Sequence, residues 1–133
     1  FLAQRAGLVW GVEENPQAVA DARANAQRNG VPNARFAAAR LEAWLPRRVA
    51  AGFRPRVAVV DPPRSGVRPE ALEALAAAEV ERLVYVSCNP ETLARDLAHL
   101  VTRGYRVVHV QPVDMFPRTA HVEVVALLQR APA

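Results

Sequence analysis

This chain of 133 residues has one cysteine, six glycines and no lysine. The low numbers of cysteine and glycine argue against several classes of protein. The single cysteine, Cys88, cannot form an internal disulfide, which favours a reducing compartment. No uncharged apolar run reaches about 18 residues, and no charged-then-apolar leader opens the chain. We therefore predict a cytoplasmic protein that does not span a membrane.

Six glycines are present, but none forms a G-x-G-x-x-G loop or a comparable phosphate-binding turn. The missing loop argues against a dinucleotide-dependent oxidoreductase. A Rossmann-like domain normally opens with a strand and such a turn, whereas this chain opens abruptly at Phe1-Leu-Ala. We therefore expect a single domain, 1–133, that is truncated at its N-terminal side.

Lysine is absent, so all 17 basic residues are arginine. Alanine, proline and valine are abundant as well, which indicates a compositional bias rather than recognition chemistry. The net charge of +4 is compatible with a nucleic-acid partner, and the scattered charges make this support mild.

Buried apolar runs alternate with helical patterns along the whole chain, which is typical of an α/β fold with a Rossmann-like doubly wound sheet. Asn-Pro pairs mark two helix starts, at Asn15 and Asn89. The patterns predict strands at 8–13, 34–38, 56–61, 82–87, 105–113 and 121–129, the last one antiparallel, and helices between 15 and 30 and at 41–49, 69–78 and 90–102.

Cys88 lies on the predicted turn between a buried strand and a helix. There the positive end of the helix dipole favours the thiolate, the nucleophilic form of the side chain. A lone cysteine is more often a small buried hydrophobe, and this alternative stays open on the residues alone.

Carboxylates end two other predicted strands. Glu13 suits the hydroxyls of a ribose, and Asp61 opens the rigid turn Asp-Pro-Pro-Arg-Ser-Gly beside the expected cleft. The alternatives are a solvated loop acid for Glu13 and a turn-forming aspartate for Asp61. Glu123 shares a predicted strand face with His121, and a solvent-facing strand residue is the alternative there.

Three motifs of the chain resemble, in order and spacing, those of the RNA uracil-5-methyltransferases. They are Asp61-Pro-Pro-Arg-Ser-Gly66, Val86-Ser-Cys-Asn-Pro90 and the segment from Asp114 to Glu123. Gly11-Val-Glu13 and the helix after it resemble the family's ribose-binding region. The resemblance implies a class I S-adenosylmethionine-dependent methyltransferase that makes 5-methyluridine in tRNA or rRNA.

The same resemblance implies the roles of the site residues. Cys88 would be the nucleophile and Glu123 the general base, while Glu13 and Asp61 would contact S-adenosylmethionine. Arg40 falls where the family contacts the adenine side, with a residue type unusual there. No metal site is expected. The glycine-rich cofactor loop and any RNA-binding domain would lie upstream, and loss of that first strand would expose sheet edges that favour self-association.

Two other functions remain open. RNA cytosine-5 methylation also uses a cysteine adduct, but enzymes of that type employ a second cysteine for release, and this chain has one. A non-catalytic fragment that binds RNA or a partner belongs to a different class, and cofactor binding would discriminate against it.

Overall fold

A computed structural model describes residues 1–131, which form an α/β fold as predicted. Its strands are β1 (Val9–Glu13), β2 (Ala34–Ala38), β3 (Val57–Val60), β4 (Arg82–Ser87), β5 (Tyr105–Val113) and β6 (Glu123–Arg130). Its helices are α1 (Pro16–Arg28), α2 (Leu41–Ala50), α3 (Pro69–Ala77) and α4 (Pro90–Thr102), after a 3-10 turn at Leu2–Gln4. In the part of the chain that the structure describes, no helix is both long and apolar enough to cross a membrane.

The last strand starts later than the sequence predicts. Residue 121 lies in a turn, where the His121 amide donates a hydrogen bond to the Thr119 hydroxyl at 3.2 Å. Pairing with β5 begins only at Glu123, opposite Val113. The expectation that His121 and Glu123 share a strand face is therefore wrong, because the alternation of strand side chains begins at Glu123.

The first of two compact units comprises Phe1–Arg47 and contains a two-stranded parallel sheet, β1 with β2. The α1 helix begins where predicted, since the Asn15 side chain accepts hydrogen bonds from the amides of Gln17 and Ala18. Val19 on α1 is buried, and the rings of Trp10 and Trp44 lie 5.4 Å apart. This unit has a small core.

The second unit begins at Arg48 and contains a four-stranded sheet in the order β3-β4-β6-β5. The β3 and β4 strands are parallel, and β6 runs antiparallel to both β4 and β5, as predicted for the last strand. The centre of this sheet is fully buried at Leu83, Tyr85, Ala126 and Leu128. Each fully buried leucine contributes about 1.5–3 kcal/mol of hydrophobic free energy.

The strands of the described chain thus form two hydrogen-bonded sheets, one in each unit. Of the described strands, β1 pairs with β2 alone, and β3 pairs with β4 alone. Each sheet therefore has an edge strand with unpaired backbone groups on one side. At the β3 edge, the side chains of Val57 and Val59 are 54% and 47% exposed.

Candidate active site

Three of the predicted site residues lie at the same end of the four-stranded sheet, where β3 and β4 finish and β6 starts. Val60 pairs with Tyr85, so that Asp61 and Cys88 both follow the carboxyl ends of neighbouring parallel strands. Ser87 pairs with Val124 across the antiparallel ladder, which puts the start of β6, at Glu123, beside the end of β4. The strand register therefore places a cysteine and two acidic residues at the end of the sheet where ligands bind in open α/β folds.

Cys88 is half-buried in a tight turn between β4 and α4, which we call the Cys88 turn (residues 87–90). The buried Ser87 hydroxyl spans it by accepting from the Asn89 amide at 3.0 Å and donating to the Asn89 carbonyl at 2.9 Å. The Asn89 side chain caps α4 by accepting from the Glu91 amide at 3.1 Å. The backbone on both sides of the thiol is thus fixed by its neighbours.

The loop that begins with Asp61 is attached to the same turn. This 61–67 loop presents the Arg64 carbonyl, which accepts from the Asn89 side-chain amide at 3.1 Å and from the Thr92 hydroxyl at 3.0 Å. The Asp61 side chain is exposed at the start of the loop. The predicted cofactor carboxylate and the predicted nucleophile therefore belong to segments that are hydrogen-bonded to each other.

A buried carboxylate that sequence reasoning missed lies behind this loop. Asp96 on α4 is only 1% exposed, and one of its oxygens accepts from the Val67 amide at 2.7 Å and the Tyr85 hydroxyl at 2.6 Å. The other oxygen accepts from Arg95 Nε at 2.8 Å. Burial is the main cause that raises the pKa of Tyr85 well above its usual range, and the hydrogen bond to Asp96 is the second. The Tyr85 hydroxyl therefore stays protonated and donates a hydrogen bond to Asp96.

The segment between β5 and β6 precedes Glu123 and is open to solvent. Met115 and Phe116 are 61% and 50% exposed, and the Phe116 ring meets the His121 ring edge-on at 6.3 Å between centroids. Glu123 itself is half-buried at the first position of β6. Two apolar side chains are thus available at the edge of the sheet where the carboxylate lies.

The other two predicted site residues lie in the first unit. Glu13 is exposed at the carboxyl end of β1, and its Oε1 accepts from the Asn15 amide at 2.8 Å. Arg40 follows β2 and forms an ion pair with Glu14, with Nε 3.1 Å from Oε2. The Asn15 contact fixes the orientation of the Glu13 carboxylate.

An open groove of about 450 Å³ lies on the far side of the 61–67 loop. Ser65, Gly66 and Val67 form one wall, and Arg95, Asp96 and His99 of α4 form another. None of the predicted site residues lines it. The groove is therefore formed mainly by the 61–67 loop and α4, and it is not the place of the predicted thiol and carboxylates.

Helices alternate with strands along the chain, and solved class I S-adenosylmethionine-dependent methyltransferases share this fold. An rRNA methylase of Streptococcus thermophilus has this fold, with a TM-score of 0.72 at 16% identity over 98% of this chain and 78% of that one. The tRNA (uracil-54, C5)-methyltransferase of Pyrococcus abyssi, solved with S-adenosyl-L-homocysteine, matches with a TM-score of 0.79. It is 38% identical and covers 96% of this chain and 30% of that one.

The family model for tRNA (uracil-5-)-methyltransferase matches residues 2–131, and the chain belongs to this family. An uncharacterized RNA methyltransferase of Caldanaerobacter subterraneus subsp. tengcongensis is 49% identical over 130 residues. That alignment covers 98% of this chain and 29% of the relative. The resemblance inferred from the three motifs is confirmed, and the chain spans under a third of the relative's length.

Tyrosine titration checks the buried hydrogen bonds behind the site. The chain has two tyrosines, Tyr85 and Tyr105, and burial is the main cause that raises the pKa of each above its usual value of about 10. The folded state then holds these protons above pH 10, where the unfolded state loses them. Below about pH 10 both tyrosines are protonated in the folded and the unfolded state, so they should not change the free energy of unfolding. As the pH rises from about 10 through the raised pKa values of the folded state, the free energy of unfolding should fall.

Ultraviolet absorbance of tyrosinate and the midpoint of urea unfolding, both followed against pH, test this expectation. Tyrosinate should appear together with unfolding. Two tyrosines that ionise near pH 10 in a chain that is still folded would contradict it.

Proposed function

We propose that this chain carries the catalytic residues of an enzyme that transfers a methyl group from S-adenosylmethionine to C5 of a uridine in tRNA or rRNA. The observation that carries the proposal is the strand register, which places Cys88, Glu123 and Asp61 at the same end of one sheet. The family match and the similarity to the tRNA (uracil-54, C5)-methyltransferase of Pyrococcus abyssi support the same substrate. We place the reaction in the cytoplasm, where a free thiol stays reduced.

Three residues have side chains of a type that suits the cofactor, two in the first unit and one in the second. The Asn15 amide occupies one oxygen of Glu13, and the second oxygen suits a ribose hydroxyl. Asp61 presents an exposed carboxylate at the end of β3, and Arg40 would contribute on the adenine side. S-adenosylmethionine, when bound, supplies an electrophilic methyl group.

Cys88 activates the uracil ring. Its thiolate forms a bond to C6, which moves the electron pair of the C5–C6 double bond into an enolate and makes C5 nucleophilic. C5 would then bond the methyl carbon of S-adenosylmethionine, and the electron pair of the broken C–S bond would leave with S-adenosylhomocysteine. The Cys88 turn holds the thiol beside the N-terminus of α4.

Glu123 completes the reaction by removing the proton from C5. The electron pair of the C5–H bond re-forms the C5–C6 double bond, and the Cys88 thiolate leaves. In an RNA helix the target base must first be extruded from the stack. The exposed side chains of Met115 and Phe116, near the start of β6, provide apolar surface against which the flipped base can pack.

Covalent trapping tests the nucleophile. With RNA that carries 5-fluorouridine at the target position, the complete product of the gene should form an adduct on Cys88, because fluorine cannot leave C5 as a proton does. Mass spectrometry of the digested complex locates the attached nucleotide. The Cys88→Ala variant is the control and should give no adduct.

Two results would contradict the assignment: an adduct on another residue, and equal trapping by Cys88→Ala. RNA with 5-fluorocytidine tests cytosine-5 methylation, which would trap that base in preference. A protein that only binds RNA would give a complex that denaturant dissociates.

Removal of the base should slow the release step. The Glu123→Gln variant keeps the side-chain shape but cannot accept a proton, so turnover should fall by about 10²- to 10⁴-fold while RNA affinity changes little. A methylated covalent intermediate should accumulate, because adduct formation and methyl transfer precede proton loss. Rapid denaturation and mass spectrometry measure that intermediate.

Glu81→Gln is the matched control, since it makes the same change at an exposed position just before β4, at the opposite end of that strand from Cys88. It should turn over normally. If Glu123→Gln also turns over normally and no adduct accumulates, Glu123 is not the base.

We also propose that this chain self-associates through β3. The β3 edge is apolar at Val57 and Val59, whereas the opposite edge strand of its sheet, β5, is interrupted by a register shift between 107 and 109 and by Pro112. Sedimentation should show a dimer of the 133-residue chain that Val59→Lys dissociates and Val110→Lys on β5 does not. A monomer at all concentrations would exclude the proposal.

A further inference from the structure

One face of α4 is turned towards the 61–67 loop, and its polar residues recur at helical spacing. Asn89 and Thr92 donate to the Arg64 carbonyl, and Arg95 donates to the Ser65 carbonyl at 2.9 Å. Asp96 accepts from the Val67 amide. Residues three and four apart lie on the same side of a helix, so these groups form a continuous row of contacts along the loop.

Asp96 joins three elements through a single carboxylate. Its hydrogen bonds reach the loop at Val67, the β4 strand at Tyr85 and its own helix at Arg95. Tyr85 lies three residues before Cys88 on the same strand. A buried carboxylate is costly unless its lone pairs are satisfied, and three donors satisfy this one.

Gly66 leaves the space that this arrangement requires. A Cβ atom at position 66 would lie 2.5 Å from Asp96 Oδ2 and 2.6 Å from the Arg95 guanidinium. The φ angle of 82° at Gly66 is also one that other residues rarely adopt. The backbone of the loop therefore approaches the carboxylate more closely than any side chain permits.

We propose that Asp96 is a positioning residue, which holds the 61–67 loop and the Cys88 turn as one rigid segment. The catalytic part of this inference rests on the proposed function: Asp61 binds the methyl donor, Cys88 attacks the base, and the two must keep a fixed separation. A displacement of about 1 Å in such a pair costs on the order of 10²-fold in rate. Asp96 touches neither ligand, so it acts through the loop and the strand.

Amide hydrogen exchange in the 133-residue chain tests the rigidity without RNA or cofactor. The Val67 amide reports on the contact with Asp96 directly. The Asn89 amide reports at a distance, because it donates to Ser87 within the Cys88 turn and is connected to the loop only through Arg64. In Asp96→Asn both amides should exchange about tenfold faster, as expected for the loss of one hydrogen bond to a charged group.

The reference amides lie in the buried centre of the sheet, at Leu83 on β4 and Leu128 on β6, and should keep their rates. Glu73→Gln is the matched control: Glu73 accepts from Arg103 at 2.6 Å and so connects α3 to α4, but it does not contact the loop. It should leave the Val67 and Asn89 rates unchanged. Uniform acceleration at all positions, or none at Asn89, would overturn the proposal and leave Asp96 with a purely structural role.

Tyr85→Phe provides a second variant if Asp96→Asn does not fold. It removes one donor from the carboxylate and keeps the ring in the core, so the same two amides should accelerate by a smaller factor. Unchanged rates in a folded Tyr85→Phe chain would also overturn the proposal.

The catalytic consequence is measured in the complete gene product with 5-fluorouridine RNA. Asp96→Asn should form the Cys88 adduct at least tenfold more slowly at saturating RNA, with little change in the RNA concentration for half-maximal rate. An unchanged trapping rate would overturn the positioning role. If the unsubstituted protein traps no RNA, the proposed function fails, and the exchange result still decides whether Asp96 fixes the loop.

Discussion

The position of every chemical group in the second unit depends on the register of β4. Alternate residues of this strand, Leu83, Tyr85 and Ser87, are buried, and a slip of one residue would bring them to the opposite face of the sheet. The core therefore fixes the pairing of β4 with β3 on one side and with β6 on the other. Because Cys88 follows the end of β4, packing of the core rather than loop flexibility decides where the thiol lies relative to Asp61 and Glu123.

Sequence patterns predict individual elements of this chain better than the way its strands assemble. The bounds of β2, β4, α4 and β5 agree with the structure to the residue, because buried runs and the Asn89-Pro90 helix start are local signals. The start of β6 was missed because the Thr119–His121 turn depends on one side-chain hydrogen bond, which has no periodicity. The division into two sheets leaves β1 and β3 at sheet edges; exposed edges are what the sequence led us to expect, although the pairing itself depends on long-range partners.

Sequence patterns indicate candidate site residues where these follow the ends of strands, and they miss a residue that supports others. Asp61 and Cys88 stand at boundaries that the sequence marks, whereas Glu123 begins a strand that was predicted to start two residues earlier, and Asp96 lies inside a helix. One signal was available: Asp96 falls between Leu93 and Leu100 on the buried stripe of α4, where an acidic residue needs partners. Its partners, the Val67 amide and the Tyr85 hydroxyl, come from distant parts of the chain, and the helical pattern does not identify them.

The motif Asp61-Pro-Pro-Arg-Ser-Gly66 therefore combines two kinds of constraint. Asp61 presents an exposed side chain, whereas Arg64 and Ser65 accept hydrogen bonds through their backbone carbonyls. At position 66 a side chain would collide with Asp96 and Arg95, so this position requires glycine. Backbone acceptors are supplied by any residue type, but the space beside Asp96 is supplied by glycine alone. The structure thus explains Gly66 through its contact with α4 and separates it from the chemistry of Asp61, although the two residues belong to one sequence motif.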